Sequence, residues 1–337
     1  MNLTTRRWFS ATAAAGVVGL TLATSCLLSA EDQRPKSKTV TITEGDLKVT
    51  IRDQVQFLSG VASLFHQKDA PEVDAFVRAG LNFEHIISGH KNPNNKFTPR
   101  KGKLELVTLP NGKSAQLVRK KEDDPWAMSS TLKYTVTKPH YIDVDFRCTA
   151  HDKALFGKRG YAILFFANYM NNVDDIALNF LGVEGAKEKE KWIKADAPLG
   201  PRDKRHPDWT QGGTYRSLPA ADQEYDADHD FKLNSWSYDY PRFTKPFYYG
   251  RAGKGMVFLL MFDKMYSAED EIRFSLFKFF VRPTTPRPAW DFQYVIHKVE
   301  EGKGYGFKAR LVWKRFVSPE DCLKEYETWS ASVGKKR

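Results

Sequence analysis

The chain has little cysteine, little histidine and no long hydrophobic run. Its 337 residues include 3 Cys and 8 His, and the mean hydropathy is −0.52. Beyond the first thirty residues only Cys148 and Cys322 remain, which permit at most one internal disulfide. The apolar stretch from Ala11 to Thr24 is too short for a membrane span, which needs roughly 20 residues. We therefore predict no transmembrane span in the mature chain.

Motifs that identify common enzyme classes are absent from the sequence. It contains no P-loop, no Gly-rich dinucleotide fingerprint, no His-Glu-x-x-His, no Cys-x-x-Cys and no Gly-x-Ser-x-Gly. No cofactor is identified, and we assign no metal ligands. The formal net charge of +11 is spread along the chain, so we do not expect nucleic-acid binding. A basic excess of this kind suits an acidic glycan or an anionic envelope surface.

The first thirty residues are typical of a signal peptide. Arg6-Arg7-x-Phe9 precedes the short Ala/Gly-rich segment, which resembles the twin-arginine type. We therefore expect export by the twin-arginine translocase to the periplasm or beyond. Cleavage after Ala30 is one alternative. Cleavage after Ser25, which would leave a lipid anchor on Cys26, is the other.

Residues 31–38 are charged and contain proline, which favours a tether, and residues 39–330 are predicted to form one β domain. Glu44-Gly45-Asp46 and Pro110-Asn111-Gly112-Lys113 each predict a hairpin turn. Tyr141–Cys148 alternates apolar and polar residues, and Tyr161–Ala167 is an apolar run typical of a strand covered on both faces.

Two regions depart from the strand pattern. Residues 183–246 are polar and aromatic-bearing, with Trp209 and Trp236, and are predicted to be a long loop region. Ser318-Pro319-Glu320-Asp321 is typical of a helix N-terminus, so a short C-terminal helix is expected. The fold class is therefore mainly β, a large two-sheet β-sandwich of supersandwich or jelly-roll type.

Histidines and carboxylates provide the candidate catalytic residues. Glu84 and His85, near His90, are suited to acid–base chemistry or to metal binding, and His140 precedes Asp143 and Asp145 on one strand. We predict that Glu84, His85 and His140 share one site at the mouth of the sandwich. The alternatives are structural: a salt bridge from Glu84 to Arg100, hydrogen-bonded loop histidines and a solvated sheet face.

Candidate substrate-binding residues are Arg100, Trp126, Asn168, Tyr169 and Trp290. Asn168-Tyr169 follows a predicted strand, where loops often form sites. Tryptophan rings can stack on the apolar face of a sugar, although each is more often a core residue. Asp263, Arg273 and Asp291 form a further set that we interpret as structural ties.

Five segments carry a resemblance to known proteins: Gly80–His85, Phe97–Arg100, Pro139–Asp143, Pro246–Gly250 and Pro288–Gln293. They resemble a family of uncharacterised exported bacterial proteins over roughly residues 75–330. The resemblance implies export and assigns no activity or catalytic residue. The strand pattern is also similar to sugar-handling β-sandwiches of the galactose-mutarotase or concanavalin kind, an analogy of fold alone.

Two functional hypotheses follow. The first is an exported carbohydrate-active enzyme, a glycoside hydrolase, lyase or sugar epimerase, that uses a His/carboxylate pair. The second is a non-catalytic protein that binds a glycan or associates with the cell envelope.

Overall fold

The computed structural model describes residues 37–53, 58–89, 98–195, 212–226, 239–282 and 285–334. The expected signal peptide, most of the expected tether, and His90, Trp209 and Trp236 lie outside these ranges. The described residues all belong to one compact unit.

Strands make up most of the described chain. In sequence order they are β1 Thr39–Glu44, β2 Leu47–Arg52, β3 Gly60–His66, β4 Asn82–Ser88, β5 Glu105–Thr108, β6 Ser114–Arg119, β7 Met128–Thr137, β8 Tyr141–Ala150, β9 Ala162–Ala167, β10 Leu178–Val183, β11 Lys191–Ala195, β12 Gly212–Tyr215, β13 Arg242–Phe243, β14 Phe247–Ala252, β15 Met256–Phe262, β16 Asp270–Arg282, β17 Thr285–Ile296 and β18 Gly304–Arg315. The helices are α1 Thr98–Lys101 and α2 Pro319–Gly334.

These strands pair antiparallel into three sheets within the described ranges. A large sheet has the order β11-β10-β14-β15-β18-β8-β7-β6-β5, with β13 beside β10. A five-stranded sheet has the order β12-β16-β17-β9-β4, and β1, β2 and β3 form a small third sheet. The predicted mainly β fold is confirmed.

The core lies between the large sheet and the five-stranded sheet. Phe146 and Phe307 of the large sheet meet Phe166 of the five-stranded sheet, with ring centroids 5.1 and 5.3 Å from it. Apolar residues of β2 and β3 belong to the same cluster. Burying each such ring stabilises the fold by roughly 1.5–3 kcal/mol. The arrangement is therefore that of a two-sheet β-sandwich.

Local sequence signals explain several elements. Gly45 and Gly112 turn the β1–β2 and β5–β6 hairpins with φ of 59° and 67°, a region that favours glycine. In β8 the apolar residues are buried and the alternate residues are not, as the alternation predicts. Cys148 is one of the buried residues and is a free thiol.

Helix α2 packs on the outer side of the large sheet. The Ser318 hydroxyl accepts a hydrogen bond from the Asp321 amide at 3.2 Å, so the predicted helix start is confirmed. Cys322 and Trp329 are buried against Val257, Leu259 and Val312. None of the helices in the described part of the chain has the length and apolar character that crossing a bilayer requires.

The structure changes the interpretation of residues 183–246. That region holds β11, β12 and β13, so it is not one long loop. β12 pairs with β16 and extends the five-stranded sheet. Polar and aromatic residues of these short strands pair with neighbours far away in sequence, which a local pattern does not reveal.

Candidate functional site

Strand β4 lies at the end of the five-stranded sheet and carries two of the predicted catalytic residues. Its pairing with β9 shifts register between Phe83 and His85, which marks a β-bulge. Phe83 packs in the core against Phe166, whereas His85 packs against Phe165 on the opposite face. Because of the bulge, Glu84 and His85 both contact residues of the outward face of the sheet.

Glu84 is the centre of a buried polar cluster. Its carboxylate accepts a short hydrogen bond from the Tyr169 hydroxyl and pairs with Arg100 Nη1 at 3.0 Å. His85 Nε2 lies 3.4 Å from the second carboxylate oxygen. Arg100, on α1, has 30% of its side chain exposed, whereas Glu84 has 4% exposed. The ion pair between Glu84 and Arg100 that the sequence offered as an alternative is therefore present.

The protonation of this cluster follows from its contacts. Burial raises the pKa of Glu84, but His85, Tyr169 and Arg100 together lower that pKa below its usual value. Burial and the Glu84 charge raise the pKa of Tyr169, so its hydroxyl keeps its proton and donates a hydrogen bond to Glu84. The cluster therefore holds an ionised carboxylate beside an imidazole.

A second buried carboxyl group, that of Asp291 on β17, lies on the same face. It accepts a hydrogen bond from the Asn168 amide at 2.8 Å. Burial, with a smaller effect of the Glu84 charge, raises the pKa of Asp291 well above its ordinary value. Two carboxyl groups with opposite pKa shifts are the arrangement that acid–base enzymes use.

Further polar side chains lie on the same face of β17, β16 and β12, separated from Glu84 and His85 by the apolar outward residues of β9, which include Ile163 and Phe165. His85, Phe165, Gln293 and Arg273 are register partners on four successive strands. Gln293 Nε2 donates to Thr214 Oγ1 and to Ser275 Oγ, each at 3.1 Å. We call the outward side chains of β4, β9, β17, β16 and β12 the polar face.

The far end of the polar face holds a buried ion pair. The Arg273 guanidinium donates to Glu271 and, at 2.7 Å, to the Tyr225 hydroxyl. His297 Nε2 lies 3.5 Å from the same Glu271 carboxylate. The predicted structural role of Arg273 agrees with this ion pair, but the rest of the group was not predicted from the sequence. The alternation of Glu271, Arg273 and Ser275 along β16 was the available signal.

Trp126 and Trp290 do not form the expected stacking wall. They are 1% and 0% exposed, and their rings pack on Phe156 and Phe258. Trp290 also fills the space above Gly250, where an added Cβ would lie 2.4 Å from the indole ring. Because protein atoms cover both rings, Trp126 and Trp290 are core residues, and the prediction that they stack on a substrate is wrong.

Asn168 has a structural role, whereas Tyr169 belongs to the buried polar cluster around Glu84. The Asn168 side chain accepts from the Leu81 amide at 2.7 Å and donates to the Trp290 carbonyl at 2.6 Å. These bonds tie the end of β9 to β17 and to the segment before β4. Asn168 is fully buried, so it positions the Tyr169 backbone and does not contact a ligand at the surface.

His140 lies in a different cluster, with Asp46, His66 and Glu325. It precedes β8, whereas the Phe83 ring beside Glu84 contacts Phe146 well along that strand. The extended chain from His140 to Phe146 spans roughly 20 Å. The structure therefore brings Glu84 and His85 together and places His140 with other partners.

The aspartates of β8 line a cleft under the C-terminal helix. Asp143 and Asp145 share this cleft of about 360 Å³ with Lys133, Lys308, Arg310 and Trp329. Arg310 donates to both Asp143 oxygens at 2.7 and 2.9 Å, and Asp145 pairs with Arg147. Both carboxylates are paired with arginines, which favours a structural role over acid–base work.

Comparisons with known proteins give structural likenesses only. No protein-family model and no curated protein matches the chain. An aldose epimerase homologue from C. elegans aligns with TM-score 0.41 and 13% identity over 84% of this chain and 100% of its own. A heparan sulfate lyase from Pedobacter heparinus has TM-score 0.36 and 9% identity over 84% of this chain and 36% of its own. Likenesses of this size establish neither a common fold nor a common function.

Proposed function

We propose that the protein acts on a carbohydrate, with Glu84 and His85 as the acid–base pair. The observation that carries this proposal is the distance of 3.4 Å between Glu84 Oε2 and His85 Nε2, and the lowered pKa of Glu84 agrees with it. A histidine oriented by a carboxylate exchanges protons near neutral pH. Tyr169 and Arg100 hold the carboxylate in place, and the partly exposed Arg100 supplies a cation for an acidic glycan.

Aromatic rings next to the acid–base pair support a sugar as the substrate. The Phe165 ring is buried and lies 5.6 Å from the His85 ring and 5.7 Å from the Phe277 ring, which is partly exposed and is the ring that a sugar would contact. A pyranose has apolar C–H faces and a polar rim, so it fits an apolar ring surface bordered by hydrogen-bonding groups. Gln293 Oε1 and Glu271 Oε2 are buried acceptors of the polar face with no hydrogen-bond donor among the described residues.

A glycan-array screen followed by product analysis tests the proposal. Each bound glycan is incubated with the protein, and hydrolysis, elimination and epimerisation products are measured. We expect Glu84→Gln and His85→Gln to lower turnover by about 100- to 10,000-fold, the usual contribution of a positioned acid or base. The dissociation constant for the glycan should change much less than turnover.

His151→Gln is the matched control. That histidine is bonded to Ser129 on the large sheet, away from the polar face, so turnover should be unchanged. Wild-type turnover in the His85→Gln variant would exclude the acid–base role.

A non-catalytic glycan-binding protein is the second candidate. It is favoured because Tyr169, Arg100 and His85 already occupy both Glu84 oxygens and only 4% of the side chain is exposed. In that case no glycan gives a product, and Phe277→Ala weakens binding while Glu84→Gln does not change it.

We also propose that the chain acts outside the cytoplasm. Support comes from the twin arginines and the short apolar segment of the first thirty residues. N-terminal analysis of the exported protein distinguishes the two cleavage alternatives. Cleavage after Ala30 gives Glu31 at the N-terminus, and cleavage after Ser25 gives a lipid-modified Cys26.

A further inference from the structure

A second group of histidine and carboxylate side chains lies outside the polar face. Asp46 is in the β1–β2 turn, His66 ends β3, and His140 is in the turn between β7 and β8. Asp46 Oδ2 is 3.8 Å from His66 Nε2 and 3.9 Å from His140 Nδ1. One ligand atom from each of the three residues lies within 4.8 Å of the other two. Two imidazoles and one carboxylate from segments far apart in sequence therefore lie close together.

The donor set is one that first-row transition metals prefer. Two imidazole nitrogens and one carboxylate oxygen bind Zn²⁺ at about 2.0–2.2 Å in proteins, with a fourth position left for water. The three atoms must approach the ion from their present separations. Asp46 can move, because it lies in a turn with 36% of its side chain exposed, whereas His66 is 2% exposed and fixed.

Each histidine has a carboxylate beside its other ring nitrogen. Glu325 Oε1 is 3.9 Å from His140 Nε2, and Asp69 Oδ2 is 3.5 Å from His66 Nδ1. His140 Nε2 is buried and has no hydrogen-bond partner within the described ranges. A carboxylate that accepts the second N–H of a metal-bound histidine fixes its tautomer and raises its basicity.

Ligation defines the tautomer of each ring. In the structure the Asp69 amide donates to His66 Nδ1 at 3.0 Å, so Nε2 of the neutral ring carries the proton. Metal binding through Nε2 would require the other tautomer of His66, in which Nδ1–H donates a hydrogen bond to the Asp69 carboxylate and the Asp69 amide gives up its hydrogen bond to Nδ1. His140 would bind the metal through Nδ1 and donate Nε2–H to Glu325.

We propose that Asp46, His66 and His140 form a binding site for a divalent transition-metal ion of the Zn²⁺ type. No metal ligands were predicted from the sequence, in which Asp46 and His66 are twenty residues apart and His140 lies much later. The bound ion would join the β1–β2 turn and β3 to the start of β8, with Glu325 of α2 as support. This is a structural cross-link, separate from the proposed chemistry of Glu84 and His85.

Titration of the metal-free, untagged protein with ZnCl₂, followed by calorimetry and thermal melts, tests the site. We expect one Zn²⁺ per chain and a rise in melting temperature at saturation. MgCl₂ should show no stoichiometric binding and should not raise the melting temperature, because Mg²⁺ prefers oxygen ligands. Asp46→Asn and His140→Gln should each weaken Zn²⁺ binding at least tenfold, and Glu325→Gln about 10- to 100-fold.

The same His151→Gln variant is the control, and it should bind Zn²⁺ like the wild type. CoCl₂ gives a second readout, because tetrahedral Co²⁺ absorbs visible light and the band should disappear in Asp46→Asn. Two results would overturn the proposal. One is the absence of stoichiometric Zn²⁺ binding to the wild type. The other is unchanged affinity in both Asp46→Asn and His140→Gln, which would place the ion elsewhere.

Discussion

Glu84 and Asp291 are carboxyl groups of one sheet face whose pKa values the fold shifts in opposite directions. Donors surround Glu84, whereas Asp291 accepts from the Asn168 amide and is otherwise desolvated. Neither shift follows from residue type. Strand alternation can place an aspartate on a sheet face, but the number of donors that meet it depends on residues more than a hundred positions away.

Asp291→Asn should be tolerated better as the pH rises. The raised pKa of Asp291 favours the protonated form in the folded state, so its contribution is present below the unfolded value near 3.8. That contribution is lost as the pH rises through the folded pKa. Asparagine keeps the acceptor for the Asn168 amide without a charge. We expect the unfolding free energy of the variant, relative to wild type, to increase between about pH 4 and pH 8.

Urea melts of both proteins across that pH range measure this difference. Asp145→Asn is the control, since Asp145 is partly exposed and pairs with the exposed Arg147. A constant difference between Asp291→Asn and wild type would contradict the raised pKa.

Strand β8 shows how far an element can be predicted from its sequence. Its alternation predicted which residues are buried, and the structure confirms the phase at Val144 and Phe146. Strand β4 shows the limit. Strict alternation would place Glu84 and His85 on opposite faces, but the bulge opposite β9 directs both outward. A bulge depends on the partner strand, so the candidate site was only partly predictable.

Val144→Asp should destabilise the fold far more than Asp143→Ala. The new carboxylate would enter the core unpaired, at a cost on the order of 3–5 kcal/mol. Asp143 is half-buried and loses bonds to Arg310 and Thr137, which cost about 1 kcal/mol. Denaturant melts measure both variants. The reverse ranking would mean that β8 has the opposite phase.

Helix α2 depends on Trp329 for its packing against the large sheet. Trp329→Ala should lower the unfolding free energy by about 3–5 kcal/mol, since a buried aromatic leaves a cavity. Thr328→Ala, on the exposed side of the same helix, should change it by less than about 1 kcal/mol. The same melts compare the two variants, and equal losses would show that the helix packs by another face.

At the scale of the whole molecule, the faces of the two main sheets pack against different parts of the protein. The inner faces form the core, and α2 covers part of the outer large sheet. The outer face of the five-stranded sheet carries the side chains of the polar face, most of which are buried as well. Overall fold class was predictable because alternation and hairpin turns repeat many times along the chain. The position of the polar face was not, because it depends on sheet order, which no local pattern contains.

Export is the property of the whole molecule that the first thirty residues predict. Arg6→Lys together with Arg7→Lys should abolish periplasmic accumulation, because the translocase recognises the paired guanidinium groups that lysine does not reproduce. Arg34→Lys, just beyond the expected signal peptide, is the matched control and should leave export unchanged. Cell fractionation with immunodetection measures both variants. The double variant should stay in the cytoplasm as the uncleaved precursor, whereas an unchanged periplasmic yield would mean that the chain uses another route.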